Sequence, residues 1–465
     1  MKTGLVVFLA VLLTACNPLR PEPVQPPALP ESYSVSPLTE AIRPGDLWWE
    51  DFRDQELDRL QQQMFAGNLD LRQTLHRIEQ LEALQRVQQA GLLPSLNLNG
   101  SISRSQSLAA SGETRTTSSS LSVAAGYEVD LWNKLRDRAT AAELTRLAGE
   151  DEAKTLLLSL SAQLAEQYFL AVEQQAQLDL LRQQVERSRD LLEIITGRYR
   201  AGLTTSSALY QARRNLATIE AQVPAYRTTL AQAENALALL LGQPPGSVNV
   251  SRRQLPALDN LVDIGLPADL LTRRPDISAA LLQLEAADRE LAATLADRLP
   301  ALDLSATLGR SANRLAGGDV DGTIWSLALG LTQPLFDGGR LKALSDQQRA
   351  VRAEQLAAGR QTMLSALEEV ESSLIAEQNS AETAIRLERQ RAVNASFLRV
   401  TRENYLSGLT DSSDWLNSEI DQLGILSQQL SNQRQWLSNR ISLVRALGGS
   451  WMSEELNNQQ QALKP

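Results

Sequence analysis

The chain has 465 residues, 43% hydrophobic but only 4% aromatic, with one Cys, one His and a formal net charge of −10. An acidic chain with no basic stripe has nothing with which to neutralise phosphates, so nucleic acid is not expected as a partner. A single Cys and a single His exclude a disulfide framework and any zinc site built from those residues, and no nucleophile–base pair or phosphate-binding loop points to an enzyme.

Residues 1–15 read as a signal peptide. Lys2 supplies the positive end, Leu5 to Leu13 the apolar core, and Leu13-Thr-Ala-Cys16 the cleavage site. An apolar run this short cannot span a bilayer, which takes about 20 helical residues. Leu-Thr-Ala-Cys resembles the bacterial lipobox, which implies a covalent lipid on Cys16 and no other cofactor. Asn17, rather than Asp, follows the Cys, which implies the outer membrane. Residues 16–47, rich in Pro, form an extended, lipidated tether.

Ordered structure begins at Trp48-Trp-Glu-Asp-Phe52, with Leu57, Leu60 and Met64 at helical spacing behind it. Asn68 is a good N-cap for a helix running through Leu71, Leu75, Ile78 and Leu81 toward Gly91. His76 lies on that helix without a second ligand nearby. After Pro94 the period becomes two: Leu96, Leu98 and Ile102 face one way and Asn97, Asn99 and Ser101 the other. The polar run Ser105 to Ser120 reads as a loop, after which Leu121, Val123, Ala125, Tyr127 and Val129 alternate again as a second strand.

A helix free of Pro is expected from Lys134 to Tyr199, ending at Tyr199-Arg-Ala-Gly-Leu-Thr204. Leu178, Leu181, Val185, Leu192, Ile195 and Tyr199 mark its seam. A return arm carries Leu209, Leu216, Ile219 and Leu237 and is expected to kink or break at Pro224. Residues 243–265 form a linker, and Leu258 to Leu271 suits a short helix.

The chain then repeats itself. Tyr405-Leu-Ser-Gly-Leu-Thr410 follows Tyr199-Arg-Ala-Gly-Leu-Thr204 by 206 residues, and Arg274-Pro-Asp-Ile277 follows Asn68-Leu-Asp-Leu71 by the same interval. Residues 48–242 and 266–449 are therefore two copies of one unit of helix, strand pair, long helix and return helix. In the second copy, Leu302, Leu304, Ala306 and Leu308 make one strand, and Trp325, Leu327, Leu329 and Leu331 the other. The polar run Ala312 to Thr323 between them reads as a loop. Leu341 to Tyr405 forms the long helix, with Met363, Leu367, Val370 and Leu374 on its seam, and Leu416, Ile420, Leu423, Leu437 and Ile441 mark the return. Glu368-Glu-Val-Glu371 reads as a solvated face. The tail, residues 450–465, carries little signal.

Four strands of roughly 9 to 11 residues have the length that crosses a bilayer in a tilted barrel, with a small, polar opposite face. Four alone would leave open edges in hydrocarbon, so closure requires several chains. The expected fold is a mixed α and β membrane protein, internally duplicated, whose four transmembrane strands share a barrel that long helices continue.

Trp48-Trp-Glu-Asp-Phe52, Tyr127-Glu-Val-Asp-Leu-Trp132, Pro334-Leu-Phe-Asp-Gly-Gly-Arg340 and the paired Tyr-x-x-Gly-Leu-Thr segments resemble the TolC-type outer-membrane factors, most of all the lipoprotein branch serving RND-type efflux pumps. The resemblance implies a homotrimer in the outer membrane with a 12-stranded barrel and a coiled-coil periplasmic tunnel. It implies a passive exit duct for small molecules, docking to a periplasmic adaptor and an inner-membrane RND-type pump. The adaptor contacts would be Gly202, Leu203, Thr204, Gly408, Leu409 and Thr410. The gate would lie at Asp411, Asp414, Tyr405 and Asn417, where helix capping is an equal reading for the two Asp residues on sequence alone. Asn417 stands where TolC has a second carboxylate and Ala208 where the matching tyrosine would find an acidic partner, which puts a TolC-style link at Tyr405 in doubt. The alternative is a periplasmic coiled-coil scaffold or adaptor lipoprotein without a channel, which leaves the duplicated strands unexplained.

Overall fold

The structure, a computed structural model, describes residues 47–109, 112–257, 273–315, 318–410, 412–448 and 452–463. Cys16 and the tether, the helix expected at Leu258 to Leu271, and Asp411 lie outside the described residues. The described residues divide into two compact units, one built from those within 76–150 and 278–361, the other from those within 47–75, 151–277 and 362–463.

The duplication holds at the level of elements. A turn of 3-10 helix at Trp48–Phe52 precedes α1 (Gln55–Gly67), α2 (Leu69–Ala90), β1 (Ser95–Ala109), β2 (Gly112–Glu128) and α3 (Lys134–Arg200), and the return follows as α4 (Ser206–Glu220) and α5 (Val223–Leu240). The second copy gives α6 (Pro275–Ala296), β3 (Ala301–Leu315), β4 (Gly318–Thr332), α7 (Arg340–Leu406) and α8 (Ser412–Leu447), with α9 (Met452–Leu463) beyond it. Both long helices have 67 residues. The expected break falls at Pro224, which sits in the first turn of α5, where its missing N–H costs no hydrogen bond. The second copy has Leu430 at that place and its return helix is continuous over 36 residues.

In the first unit the four strands form one antiparallel sheet in the order β1-β2-β3-β4. Directly paired residues point to the same side of an antiparallel sheet, so register decides whether the alternation of four separate strands adds up to one face. It does. Leu98 pairs with Val123, Val123 with Leu308 and Leu308 with Trp325. The neighbouring row runs Leu96, Ala125, Ala306, Leu327. On the other side Asn97, Ala124, Thr307 and Ser326 form a small, polar row.

The strands are longer than the alternation alone indicates. The polar stretches expected as loops, Ser105 to Ser120 and Ala312 to Thr323, are mostly strand; β1 and β2 have 15 and 17 residues and pair from Ser95 with Gly126 to Ala109 with Gly112. Ser and Thr suit a pleated backbone and can bond across it, as Ser101 Oγ and Ser120 Oγ do at 2.9 Å. With polar residues on both faces there is no alternation to read. β2 and β4 end at Glu128 and Thr332, a few residues ahead of Trp132 and Phe336. The intervening residues turn the chain into the long helices. The Asp130 carboxylate accepts from the N–H groups of Leu135 (3.1 Å) and Arg136 (3.0 Å), and that of Asp337 from Leu341 (2.9 Å) and Gly339 (3.0 Å). Those N–H bonds, that of Leu341 foremost, hold the Asp337 carboxyl below the usual carboxylate range.

In the second unit Trp48, Trp49, Phe52, Phe65, Tyr168 and Phe169 form a buried aromatic cluster. Tyr168 Oη donates to Asp54 at 2.8 Å, Arg252 pairs with the same carboxylate at 2.6 Å, and Asp54 caps α1. Burial, and the carboxylate beside it, push the Tyr168 hydroxyl well above its ordinary range. The helices are laced by polar contacts: Glu173 of α3 meets Arg434 of α8 at 3.0 Å, and Glu377 of α7 pairs with buried Arg440 of α8. Glu369, expected on a solvated face, instead pairs with Arg274 at 2.8 Å, because a buried guanidinium requires acidic partners. His76 is exposed and bonds Glu79 at 3.0 Å. Among the seam residues named from the heptads, Tyr199 and Ile420 are exceptions, with 43% and 44% of their surface open.

Candidate functional site

The ends of the two long helices hold most of the residues singled out for function. Each helix stops in a left-handed glycine. Gly202 has φ +72° and Gly408 φ +76°, a region in which a side chain strains the backbone. The N–H of Leu203 donates to the carbonyl of Arg198 at 2.8 Å and that of Gly202 to Tyr199 at 3.0 Å; in the second copy Leu409 donates to Asn404 at 2.9 Å and Gly408 to Tyr405 at 3.1 Å. This pair of bonds satisfies carbonyls that a helix end leaves open. It also turns Leu203 and Leu409 outward, 68% and 75% exposed. An ideal Cβ at either glycine meets nothing within 4 Å, so backbone conformation, and not space, selects Gly there. Thr205, after Thr204, caps α4 through Ala208 N–H at 3.3 Å. Thr410 is exposed.

Just behind these turns the copies pack on each other. Leu191, Ile195, Leu209 and Ala212 of the first copy are buried with Tyr405, Trp415 and Leu416 of the second. Tyr405 is 2% exposed, its ring 5.3 Å from that of Trp415, with the Arg198 guanidinium 4.4 Å from its centroid. Arg198 Nη1 also donates to the Tyr405 carbonyl at 3.1 Å. A cation over an aromatic face adds about 0.5–2 kcal/mol according to how dry it is. The Tyr405 hydroxyl is buried without a hydrogen-bond partner among the described residues.

Of the residues expected at a gate, the three that are described, Tyr405, Asp414 and Asn417, are not brought together as one polar set. Tyr405 is drawn into the apolar cluster, while Asp414 and Asn417 are exposed in the first turns of α8. Arg198, which fixes Tyr405, escaped the sequence reading; the one signal was an asymmetry, since the matching position in the second copy is Asn404. One turn into the return helix, Thr401 Oγ1 and Ser418 Oγ bond at 2.9 Å, a buried polar pair the alternation of leucines also hides.

The other functional surface is the sheet. Leu96, Leu98, Ile102, Trp325, Leu327, Leu329 and Leu331 are each between 65% and 83% exposed, all on one face. A contiguous apolar face of this extent is not stable against water. Among the described residues no group could hold a metal, and no helix is long and apolar enough to cross a membrane.

The model of the outer membrane efflux protein family matches residues 60–243 and again 266–449. The toluene efflux pump outer membrane protein TtgF of Pseudomonas putida is 30% identical over 97% of this chain and 98% of its own length. The pyoverdine export outer membrane protein OpmQ, also of Pseudomonas putida, is 28% identical over 96% of this chain and 97% of its own. Among solved structures, the outer-membrane channel OprN superposes with a TM-score of 0.85 at 25% identity, over 92% of this chain and all of that one. The Neisseria gonorrhoeae MtrE channel in its open state gives 0.80 at 25% identity, over 92% and 97%.

Proposed function

The chain belongs to the outer membrane efflux protein family, and from that premise we propose how its parts divide the work of a three-part efflux system. It is the outer-membrane channel of such a system and not an enzyme. Three copies close their four-stranded sheets into one 12-stranded barrel, continued by the helices as a periplasmic tunnel. A lipid on Cys16 anchors the mature chain beside the barrel. The turns at Gly202-Leu-Thr204 and Gly408-Leu-Thr410 dock to a periplasmic adaptor, which couples the duct to an inner-membrane RND-type pump that supplies the energy.

The observation that carries this reading is the continuity of the apolar rows across all four strands, Leu98-Val123-Leu308-Trp325 above all. One chain cannot close them: a barrel needs at least about eight strands, and an open edge in hydrocarbon leaves backbone groups unpaired. A purely periplasmic scaffold has no use for such a face. The test is conductance of the purified chain in planar bilayers together with its native mass. Discrete channels from a species of three chains are expected; a water-soluble monomer without conductance returns the scaffold reading.

A further inference from the structure

Beyond the leucine rows the sheet carries charge, and carries it on one face only. Between the row of Leu98 and Trp325 and the ends of the two hairpins stand four arginines, Arg104, Arg115, Arg310 and Arg314, and three acids, Glu113, Asp319 and Asp321. The registers run without a bulge, and each of these residues is an even number of positions from Leu98, Val123, Leu308 or Trp325 on its own strand. All of them therefore share the face of those apolar side chains. The opposite face of the same stretch, with Ser103, Thr116, Ser118, Ser311 and Asn313, carries no charge among the described residues. Charge that served hydration alone would divide between two faces that both meet water.

Depth follows from connectivity. The helices join the sheet at the Ser95, Glu128, Ala301 and Thr332 ends of the strands, so that edge is periplasmic and the hairpins point out of the cell. Trp325, 76% exposed, lies in the last row that is wholly apolar, where an aromatic ring marks the boundary with the headgroups. Arg310 stands one row further out, and Arg104 and Arg314 two rows beyond it, in the row Arg104-Thr117-Arg314-Asp319. Arg310 and Arg314 are about 14 Å apart along the strand, and Arg104 and Arg314 about 10 Å apart across it. The acids leave these groups open to exchange. Arg310 meets Asp321 at 3.1 Å and Arg314 meets Asp319 at 3.6 Å, with between 62% and 78% of each side chain exposed, and pairs so exposed contribute little. Arg104 has no acidic partner among the described residues. Every cation in this stretch is Arg and none Lys, and the guanidinium fork matches a phosphate in two bonds at once.

We propose that Arg104, Arg310 and Arg314 hold the phosphate groups of lipid headgroups in the outer leaflet around the barrel. Lipid is the partner because the arginines stand on the face that meets the acyl chains, one to three rows beyond the last apolar one. A phosphate in solution reaches both faces and gives no reason for the bias. Asp321 and Asp319 keep two of the guanidinium groups paired where no headgroup is bound. The inference rests on the barrel reading above and adds to it a site for the surrounding lipid.

The test titrates the full-length protein, purified as a channel in detergent, with four ligands while following the thermal midpoint of the oligomer. These are lipopolysaccharide, the same lipid stripped of its phosphates, phosphatidylcholine and inorganic phosphate. The midpoint should rise with intact lipopolysaccharide and not with the other three. Arg104→Gln with Arg310→Gln and Arg314→Gln should require at least about tenfold more lipopolysaccharide for the same shift. Adding Ser103→Arg, Ser311→Arg and Asn313→Arg to that variant returns the charge to the opposite face and should not restore binding. An equal shift with the stripped lipid means that acyl chains alone are held, and an equal shift with inorganic phosphate means a free anion; either overturns the inference and leaves the barrel standing. So does an unchanged titration in the first variant, or recovery in the second. Should the variants fail to assemble, the four ligands on the parent decide. A parent that forms no channel overturns the barrel reading and this inference with it.

Discussion

Arg274 and the carbonyl of Ala446 are 172 residues apart in sequence and 2.9 Å apart in the fold. The first copy makes the same bond at the same separation, Asn68 Nδ2 to the Leu240 carbonyl at 2.8 Å, so the residue just before α2 and α6 ties down the end of the return helix of its copy. In the second copy the clamp is a guanidinium, which also pairs with Asp276 at 2.7 Å and Glu369 at 2.8 Å. Arg274→Ala removes the carbonyl's partner and leaves two carboxylates without their cation, a loss of about 3 kcal/mol for a pair this buried. Arg274→Asn imports the first copy's own solution and should recover part of it. Thermal midpoints of the three proteins in detergent give the ranking; equal midpoints for Arg274→Ala and the parent would remove the clamp from the account.

How much of this was legible depended on whether a feature is periodic. The duplication stood out because Tyr199 and Tyr405 carry the same local turn. The membrane halves of the strands stood out because leucine alternates with small residues, as at Leu327 and Leu329. The outer halves did not, since Ser and Thr on both faces leave no period, and the paired Ser101 and Ser120 look like a loop until register is known. Heptads placed Tyr199 and Ile420 on a seam but cannot say whether the seam's partner lies in the same chain. The hold of Arg198 on Tyr405 was invisible for another reason: it joins the two copies, and nothing in either copy alone announces it.

Register makes a sharp distinction between two neighbours on β4. Leu329 pairs with Leu304 on the apolar face, and Thr332, three residues on, pairs with Ala301 on the other. Leu329→Arg places a guanidinium in hydrocarbon and should cost about 2–4 kcal/mol near the midplane. Thr332→Arg should be far milder. Comparing heat-stable oligomer yield from membranes checks this; equal yields mean the faces are reversed or the sheet is not in lipid.

The left-handed turns predict a separation of export from assembly. A bulky residue at Gly202 or Gly408 meets open space but strains a backbone at φ above +70°, a cost of about 1 kcal/mol at each turn. Gly202→Val with Gly408→Val should therefore leave barrel assembly intact while moving Leu203 and Leu409. Export measured as substrate tolerance in cells should fall. Unimpaired export, with no adaptor captured by crosslinking from either turn, would detach the turns from docking.

Lipidation at Cys16 is tested by the mass of the mature N-terminus. An acylated Cys16 is expected in the parent, and Cys16→Ser should abolish it. Because the barrel supplies its own apolar surface, the variant should still reach the membrane, with weaker retention and not release. An unmodified Cys16 at an intact mature N-terminus ends the proposal.

Asp414 separates two physical roles that sequence left equal. It sits in the first turn of α8, exposed, where a carboxylate meets the positive end of the helix dipole and contributes about 0.3–1 kcal/mol. In a three-chain tunnel the same side chain recurs three times, and a ring of like charge near the axis attracts cations and repels anions. Tyr405 cannot share that work, since it is buried against Trp415 and Arg198, and Asn417 supplies no charge. Among the described residues expected at a gate, Asp414 alone carries a charge, which makes it the residue to test. Replacing it by Ala removes both roles, whereas Asn retains hydrogen-bonding capacity at the helix end and loses only the charge. If the ring operates, Asp414→Ala and Asp414→Asn lower cation preference and weaken block by multivalent cations to the same degree, with little effect on trimer stability. If Asp414 serves the helix alone, neither variant changes selectivity in single-channel recordings, and only thermal stability falls, more for Ala than for Asn.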